Sequence, residues 1–205
     1  MPARLPSETA GEWMNAETHG ARHDVDSPRD RLRSSMQIQL QTCLLRPWKE
    51  DDAASLVRHA NNRKIWRNLR ALPHPYTTEH AVEFIANAHE ATPVRFFAID
   101  VAGEAVGSIG FSPLSDIHAR TAEIGYFVGE SHWNRGIAAE ALEACSQYAF
   151  RAYGLWRLQA CVFEWSLASM RVLEKCGYVR EGVLQKSIWK DGEMIDSMLY
   201  ARLRE

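Results

Sequence analysis

Residues 122–150 read A-E-I-G-Y-F-V-G-E-S-H-W-N-R-G-I-A-A-E-A-L-E-A-C-S-Q-Y-A-F, and their period changes midway. Up to Val128 the chain alternates. Ala122, Ile124, Tyr126 and Val128 fall on one side and Glu123, Gly125 and Phe127 on the other, which with the aromatic and β-branched content predicts a strand. After a polar turn, Ala138, Ala141, Leu142, Cys145, Tyr148, Ala149 and Ala152 recur at helical spacing, so a helix is expected from Gly136 or Ile137. A strand that feeds a glycine-bearing turn into a helix has a chemical use. The helix start carries unpaired N–H groups and the positive end of the dipole, and glycine lets an anion come close to the backbone.

Two common phosphate loops are missing. Neither G-x-x-x-x-G-K-[S/T] nor G-x-G-x-x-G follows a strand, which argues against nucleotide hydrolysis and dinucleotide binding. Instead Trp133-Asn134-Arg135-Gly136-Ile137-Ala138 resembles the acetyl-CoA loop of the GNAT N-acetyltransferases, Q/R-x-x-G-x-G/A, with Trp at the first position. The form W-x-x-G-x-A followed by E-A-L resembles the branch of Rim-type ribosomal-protein N-terminal acetyltransferases. A second motif of that family, N-x-x-S followed by G-[F/Y], is matched by Ser166-Leu167-Ala168-Ser169 and then M-R-V-L-E-K-C-G-Y.

Outside these motifs the composition is ordinary. A chain of 205 residues suits one large domain, or a medium domain with a tail. The net charge of −2 and the absence of any Lys/Arg run leave no nucleic-acid footprint. No apolar run is long enough for a membrane span, and no signal-peptide core is seen at the N-terminus, so no membrane partner is expected and the cytoplasm is the expected location. Cys43, Cys145, Cys161 and Cys176 are scattered, which reads as buried small hydrophobes and not as a metal or disulfide frame. Residues 1–35 hold isolated apolar residues without a period, and Met36 falls at the join. They are read as a disordered extension or a mis-assigned start, with the domain over 36–205.

Along the domain, a strand is expected from Gln37 to Pro47. A helix carrying Leu56 and Val57 follows, with the acidic residues 50–52 in its first turn, and a second helix is capped by Thr77 or Thr78. Two strands then form a hairpin at Gly103, followed by the strand to Val128 and the long helix. Next come a strand to Phe163, a short helix from Ser166 ending at Gly177, and a hairpin over Asp191-Gly192. This order is mixed α/β and matches the GNAT order. It implies a mostly antiparallel sheet of six to seven strands flanked by about four helices.

The resemblance also implies a chemistry: transfer of an acetyl group from acetyl-CoA to a primary amine, with no metal. Residues 133–138 would hold the pyrophosphate, and Tyr126, Phe127 and Val128 the pantetheine. Glu123 is the candidate base. It stands either as a catalytic carboxylate facing a cleft or as a structural glutamate paired with an arginine. The family's usual tyrosine acid is replaced by Leu173, and Ser169 is the candidate for handling the second proton. Ser166, where relatives have Asn, keeps a capping side chain but loses the amide contact to the coenzyme. Trp66, Tyr76, Trp189 and Asp196 are candidates for the acceptor side, and Tyr178 for the core. The branch points first to a protein or peptide N-terminal α-amine as acceptor. The alternatives are a small-molecule amine and a non-catalytic acyl-CoA-binding module, on a monomer or homodimer.

Overall fold

The computed structural model describes residues 36–205, so the extension expected over 1–35 lies outside the described residues. One eight-stranded sheet in the order β1-β2-β3-β4-β5-β6-β8-β7 forms the frame. The strands are β1 (Ile38–Gln39), β2 (Leu44–Pro47), β3 (Phe96–Val101), β4 (Glu104–Pro113), β5 (Thr121–Val128), β6 (Arg157–Phe163), β7 (Val179–Lys190) and β8 (Glu193–Leu203). Five α-helices accompany them: α1 (Ala53–Ala60), α2 (Arg63–Trp66), α3 (Thr78–Glu90), α4 (Ile137–Ala152) and α5 (Leu167–Lys175).

The counts exceed the expectation at two places. The expected first strand is broken: Leu40 N–H donates to Cys43 C=O (2.9 Å), and β1 folds back antiparallel on β2. The extra helix, α2, is a single turn started by Asn62, whose side chain accepts from Lys64 N–H (2.8 Å). The acidic run stands where expected, Glu50–Asp52 forming a 3₁₀ turn that leads directly into α1, and Asp52 is in addition buried against Arg46. On α3, Ala81, Ile85 and Ala88 face inward, while Val82 is 55% exposed.

Packing follows the two faces of the sheet. On one, Ile124 and Val128 of β5 join Leu142, Cys145 and Ala149 of α4 and Leu173 of α5 in the larger core. Burying Leu142 alone contributes about 1.5–3 kcal/mol. On the other face, Leu56 and Ala60 of α1 pack with Ala81, Ile85 and Ala88 of α3, and Phe127 of β5 joins them. Turn chemistry closes the chain at the expected points. Gly177 (φ 75°) ends α5, with Tyr178 N–H donating to Leu173 C=O and Gly177 N–H to Glu174 C=O (3.0 and 3.1 Å). Asp191 and Gly192, both at positive φ, make the tight turn of the β7–β8 hairpin.

A buried ion cluster ties the start of the domain together. Arg46, 3% exposed, donates Nε to Asp100 (2.7 Å) and both terminal nitrogens to Asp52 (2.7 and 2.9 Å). Asp52 also accepts from Lys49 N–H and Asp100 from Gly103 N–H, so β2, the entry to α1 and the β3–β4 turn share one network. Arg46→Met would leave two buried carboxylates facing no cation. The expected loss is about 3–5 kcal/mol of unfolding free energy, read by urea denaturation, against a small change for a matched apolar replacement of all three residues.

Burial also pushes the phenols of Tyr126, Tyr148 and Tyr153 up from 10.0 to about 12. Below the unfolded value the phenols are neutral in folded and unfolded chains alike. Above it the unfolded chain ionises first, so stability is lost as pH rises from 10 towards 12. Denaturation midpoints followed upward from about pH 9 should fall through that window.

Candidate active site

The site begins where the sheet comes apart. β5 and β6 are the one parallel pair among the described strands, and they match only at Thr121–Arg157, Ala122–Leu158 and Glu123–Gln159. Each keeps its antiparallel ladder on the other side, β5 with β4 through Val128 and β6 with β8 through Phe163. Beyond Glu123 the two strands therefore diverge and leave a gap. Gly129 N–H donates to Val106 C=O (2.7 Å), so strand alternation turns the main-chain groups of Tyr126 and Val128 the other way, into the gap. The Trp133 indole donates to the Val128 carbonyl (2.6 Å), while Tyr126 N–H and C=O have no strand partner there.

The gap opens into a cleft of about 620 Å³, with the loop before α4 along one wall. None of the five amide N–H groups from Asn134 to Ala138 finds an acceptor among the described residues. Asn134 (φ 60°) and Gly136 (φ 81°) hold the left-handed conformations that aim this run of donors, and a Cβ on Gly136 would meet no protein atom within 4 Å. Arg135, Arg171 and Lys175 stand along the same cleft. Open amides, a helix dipole and nearby cations fit a pyrophosphate. His132 sits beside the loop, its acidity raised chiefly by burial and then by Arg135. Ser166 lies in the cleft wall, but it makes no side-chain cap bond to α5.

The other face of β5 meets a second, smaller hollow of about 180 Å³. Glu123 is at its edge, its side chain 20% exposed, with Oε2 paired to Arg70 Nη2 at 2.5 Å. Oε1 has no hydrogen-bond partner among the described residues. The two residues expected to handle protons thus sit on opposite sides of one strand. On the cleft side, Ser169 Oγ and Tyr126 OH are 3.0 Å apart, and the phenol, pushed up to about 12 by burial, stays protonated at neutral pH.

Of the acceptor candidates, Tyr76 (3% exposed) lines the small hollow, with its hydroxyl directed to His80 C=O (3.3 Å). Trp66, Trp189 and Asp196 line neither hollow. Trp66 is stacked under Lys190 (Nζ 4.1 Å from the ring centre), and Asp196 accepts from Lys186 N–H (2.7 Å) at an irregularity of β7. Trp189 is 69% exposed on the last hairpin. Tyr178 is in the core, its hydroxyl 2.8 Å from Ser146 Oγ.

Three residues near the site were not legible in advance. Arg70 sits in an aperiodic loop, where nothing in the sequence marks its partner. Lys190 donates to Leu69 C=O (2.9 Å) and so tethers that loop to the last hairpin. Trp165, in the cleft wall, lies under Arg67 (4.6 Å), and its indole N–H is buried with no partner among the described residues. The W-S pair before α5 was the one available hint for Trp165. Among the described residues no cluster of three or more His, Cys, Asp or Glu is arranged to hold a metal, and no helix is long and apolar enough to cross a membrane.

Residues 43–179 match the family model described as Acetyltransferase (GNAT) domain. An uncharacterised N-acetyltransferase of Bacillus subtilis (strain 168), YoaA, is 41% identical over 169 residues, covering 80% of this chain and 94% of the relative. The ribosomal-protein-serine acetyltransferase of Escherichia coli (strain K12) is 29% identical over 126 residues, 62% of this chain and 70% of that protein. Among solved structures, Mycobacterium smegmatis RimJ in complex with CoA-disulfide superposes with a TM-score of 0.68 at 30% identity, covering 78% of this chain and 81% of that one.

Gly136→Val separates the binding loop from the fold. A Cβ there meets no protein atom within 4 Å, and a β-branched residue at φ 81° strains the one turn that aims the five open amides. Acetyl-CoA affinity by calorimetry should fall at least about tenfold, a loss of about 1.4 kcal/mol, with a cooperative melt retained. Unchanged affinity would show that the loop does not face the coenzyme.

Proposed function

The chain belongs to the GNAT acetyltransferase family and is an acetyl-CoA-dependent N-acetyltransferase, and from that premise we propose that its acceptor is the α-amine at the start of a peptide or protein chain. The observation that carries the reading is the placement of Glu123 and of the Tyr126–Ser169 pair on opposite faces of β5, at the point where the strand loses its partner. An amine entering from the Glu123 side reaches the strand edge across from a thioester held on the cleft side. A relative that acts on a ribosomal protein supports a polypeptide acceptor.

In this reading the amides of residues 134–138 hold the pyrophosphate, and the free main-chain groups of Tyr126 orient the acyl arm and its carbonyl. Glu123 takes the ammonium proton, directly or through water, on the oxygen that Arg70 leaves open. The neutral nitrogen then bonds to the thioester carbonyl carbon, its second proton passes to solvent, and the carbon–sulfur bond breaks. Tyr126 supplies a proton to the departing thiolate and regains one from solvent, with Ser169 bonded to the phenol as relay or orienter. An unaided serine is a poor acid, whereas a protonated phenol 3.0 Å away gives it a source. Ser166 and Trp165 line the coenzyme side, the latter with an indole donor to spare.

Acetylation of synthetic peptides, followed by thiol release and mass spectrometry, tests the acceptor. Glu123→Gln should leave coenzyme affinity intact and lower turnover by about 10²–10⁴-fold at neutral pH, with partial recovery as alkali neutralises the amine. A Glu123 that only anchors Arg70 would instead lower the melting temperature and leave turnover per folded molecule near the parent's. Tyr126→Phe, which keeps the ring packing, should slow turnover more than Ser169→Ala, and the reverse order would make serine the donor.

A further inference from the structure

The small hollow beside Glu123 carries more than a place for an amine. Its floor contains Gly110 and Gly125, which face each other across β4 and β5, on the same side of the sheet as Glu123 and Phe127. Two opposed glycines weaken a strand pair and commonly mark where another group must come close. At Gly110 a Cβ would meet the Phe96 ring at 2.3 Å, so the missing side chain lets that ring form a wall. Leu56, Leu72, Tyr76, Phe84, Phe96 and Phe127 make the rest of the lining mostly apolar, with Asn68 and Ser108 as its uncharged polar members, and the hollow joins the larger cleft through the β5 backbone from Ile124 to Phe127, which lines both.

Size and charge narrow the occupant. An apolar cavity of about 150 Å³ is large enough for a benzene ring, and this one measures about 180 Å³. Glu123 is its one acidic side chain and is already paired with Arg70, so a second ammonium group would meet a guanidinium and no free carboxylate. A polyamine or a lysine side chain is therefore opposed on charge, and a small polar side chain would leave the wall unfilled.

We infer that this hollow receives the side chain of the residue bearing the acceptor amine, and that the enzyme selects an α-amine whose own side chain is apolar, of leucine or phenylalanine size. The inference rests on the α-amine reading above and adds the class of the first residue. Placing the amine at Glu123 and the side chain among the phenylalanines positions the nitrogen at the edge of β5 with no further contact to the rest of the acceptor.

The test uses two acceptor series, tetrapeptides and single amino-acid amides, each with leucine, phenylalanine, alanine, serine or lysine at the amine, with spermidine alongside. In both series kcat/KM for leucine and phenylalanine should exceed that for serine and lysine by at least about tenfold. Leu72→Trp, on the half-buried loop wall, should collapse the leucine-to-serine ratio. Serine or spermidine preferred in the parent enzyme overturns the inference and leaves acetylation itself standing. A leucine-to-serine ratio unmoved in a folded Leu72→Trp also overturns it. Amides ranked as expected with peptides untouched would instead remove the peptide acceptor and keep the apolar selection. If neither series is acetylated, both fall.

Discussion

The arrangement depends on a single shortfall of hydrogen bonding: β5 and β6 share three residue pairs and then part. Each strand keeps its full ladder with its outer neighbour, so the molecule behaves as two half-sheets hinged at Thr121–Glu123. Main-chain groups at a sheet interior are normally paired, because leaving them unmet away from water costs free energy. Here the unmet groups line a cleft, where solvent or a ligand can satisfy them. Tyr126 offers both its N–H and its C=O, and the loop before α4 adds five more donors. In the proposed reading, coenzyme recognition would be mostly a main-chain affair, with which Trp in place of Gln or Arg at residue 133 is compatible. The indole instead bonds back to Val128 and fixes the loop to the strand that it serves.

Strand alternation then divides the chemistry. Successive side chains of β5 point to opposite faces, so Glu123 and Tyr126 cannot share a compartment. The carboxylate looks into an apolar hollow built under α1, α3 and the loop between α2 and α3. The phenol looks into the larger cleft and meets Ser169 of α5. In the proposed reading, a base on one side and an acid on the other would suit a transfer in which one proton leaves the incoming amine and another joins the departing sulfur.

Two polar assemblies hold these walls in place. The Arg46–Asp52–Asp100 cluster locks β2 to the entrance of α1 and to the β3–β4 turn. On the far side, Lys190 reaches from the last hairpin to the Leu69 carbonyl and the Trp66 ring, while Arg63 pairs with Asp191 (3.2 Å). The loop that carries Arg70 is therefore held by the last hairpin. Trp66, expected at the substrate, serves this clasp because a large flat ring is a good surface for a buried ammonium.

Local pattern was sufficient for most of the frame. Period-two and helical spacing, the Gly103, Gly177 and Asp191-Gly192 turns, and the loop of residues 133–138 are short-range features, and a short-range reading recovers them because the backbone rules involved act within a few residues. The sequence alone also determined the family, the coenzyme and the alternation that separates Glu123 from Tyr126. Only the tertiary structure decided who meets whom. The broken first strand needed knowledge of where the chain turns back. Arg70 on Glu123, Tyr126 on Ser169 and Arg46 on Asp52 and Asp100 join residues 6 to 54 positions apart, and no periodicity encodes such pairs. The apolar hollow belongs to the same class, since it exists only where two glycines on neighbouring strands come opposite one another beneath a loop and two helices. Side-chain chemistry is written in the chain, but its partners are set by packing.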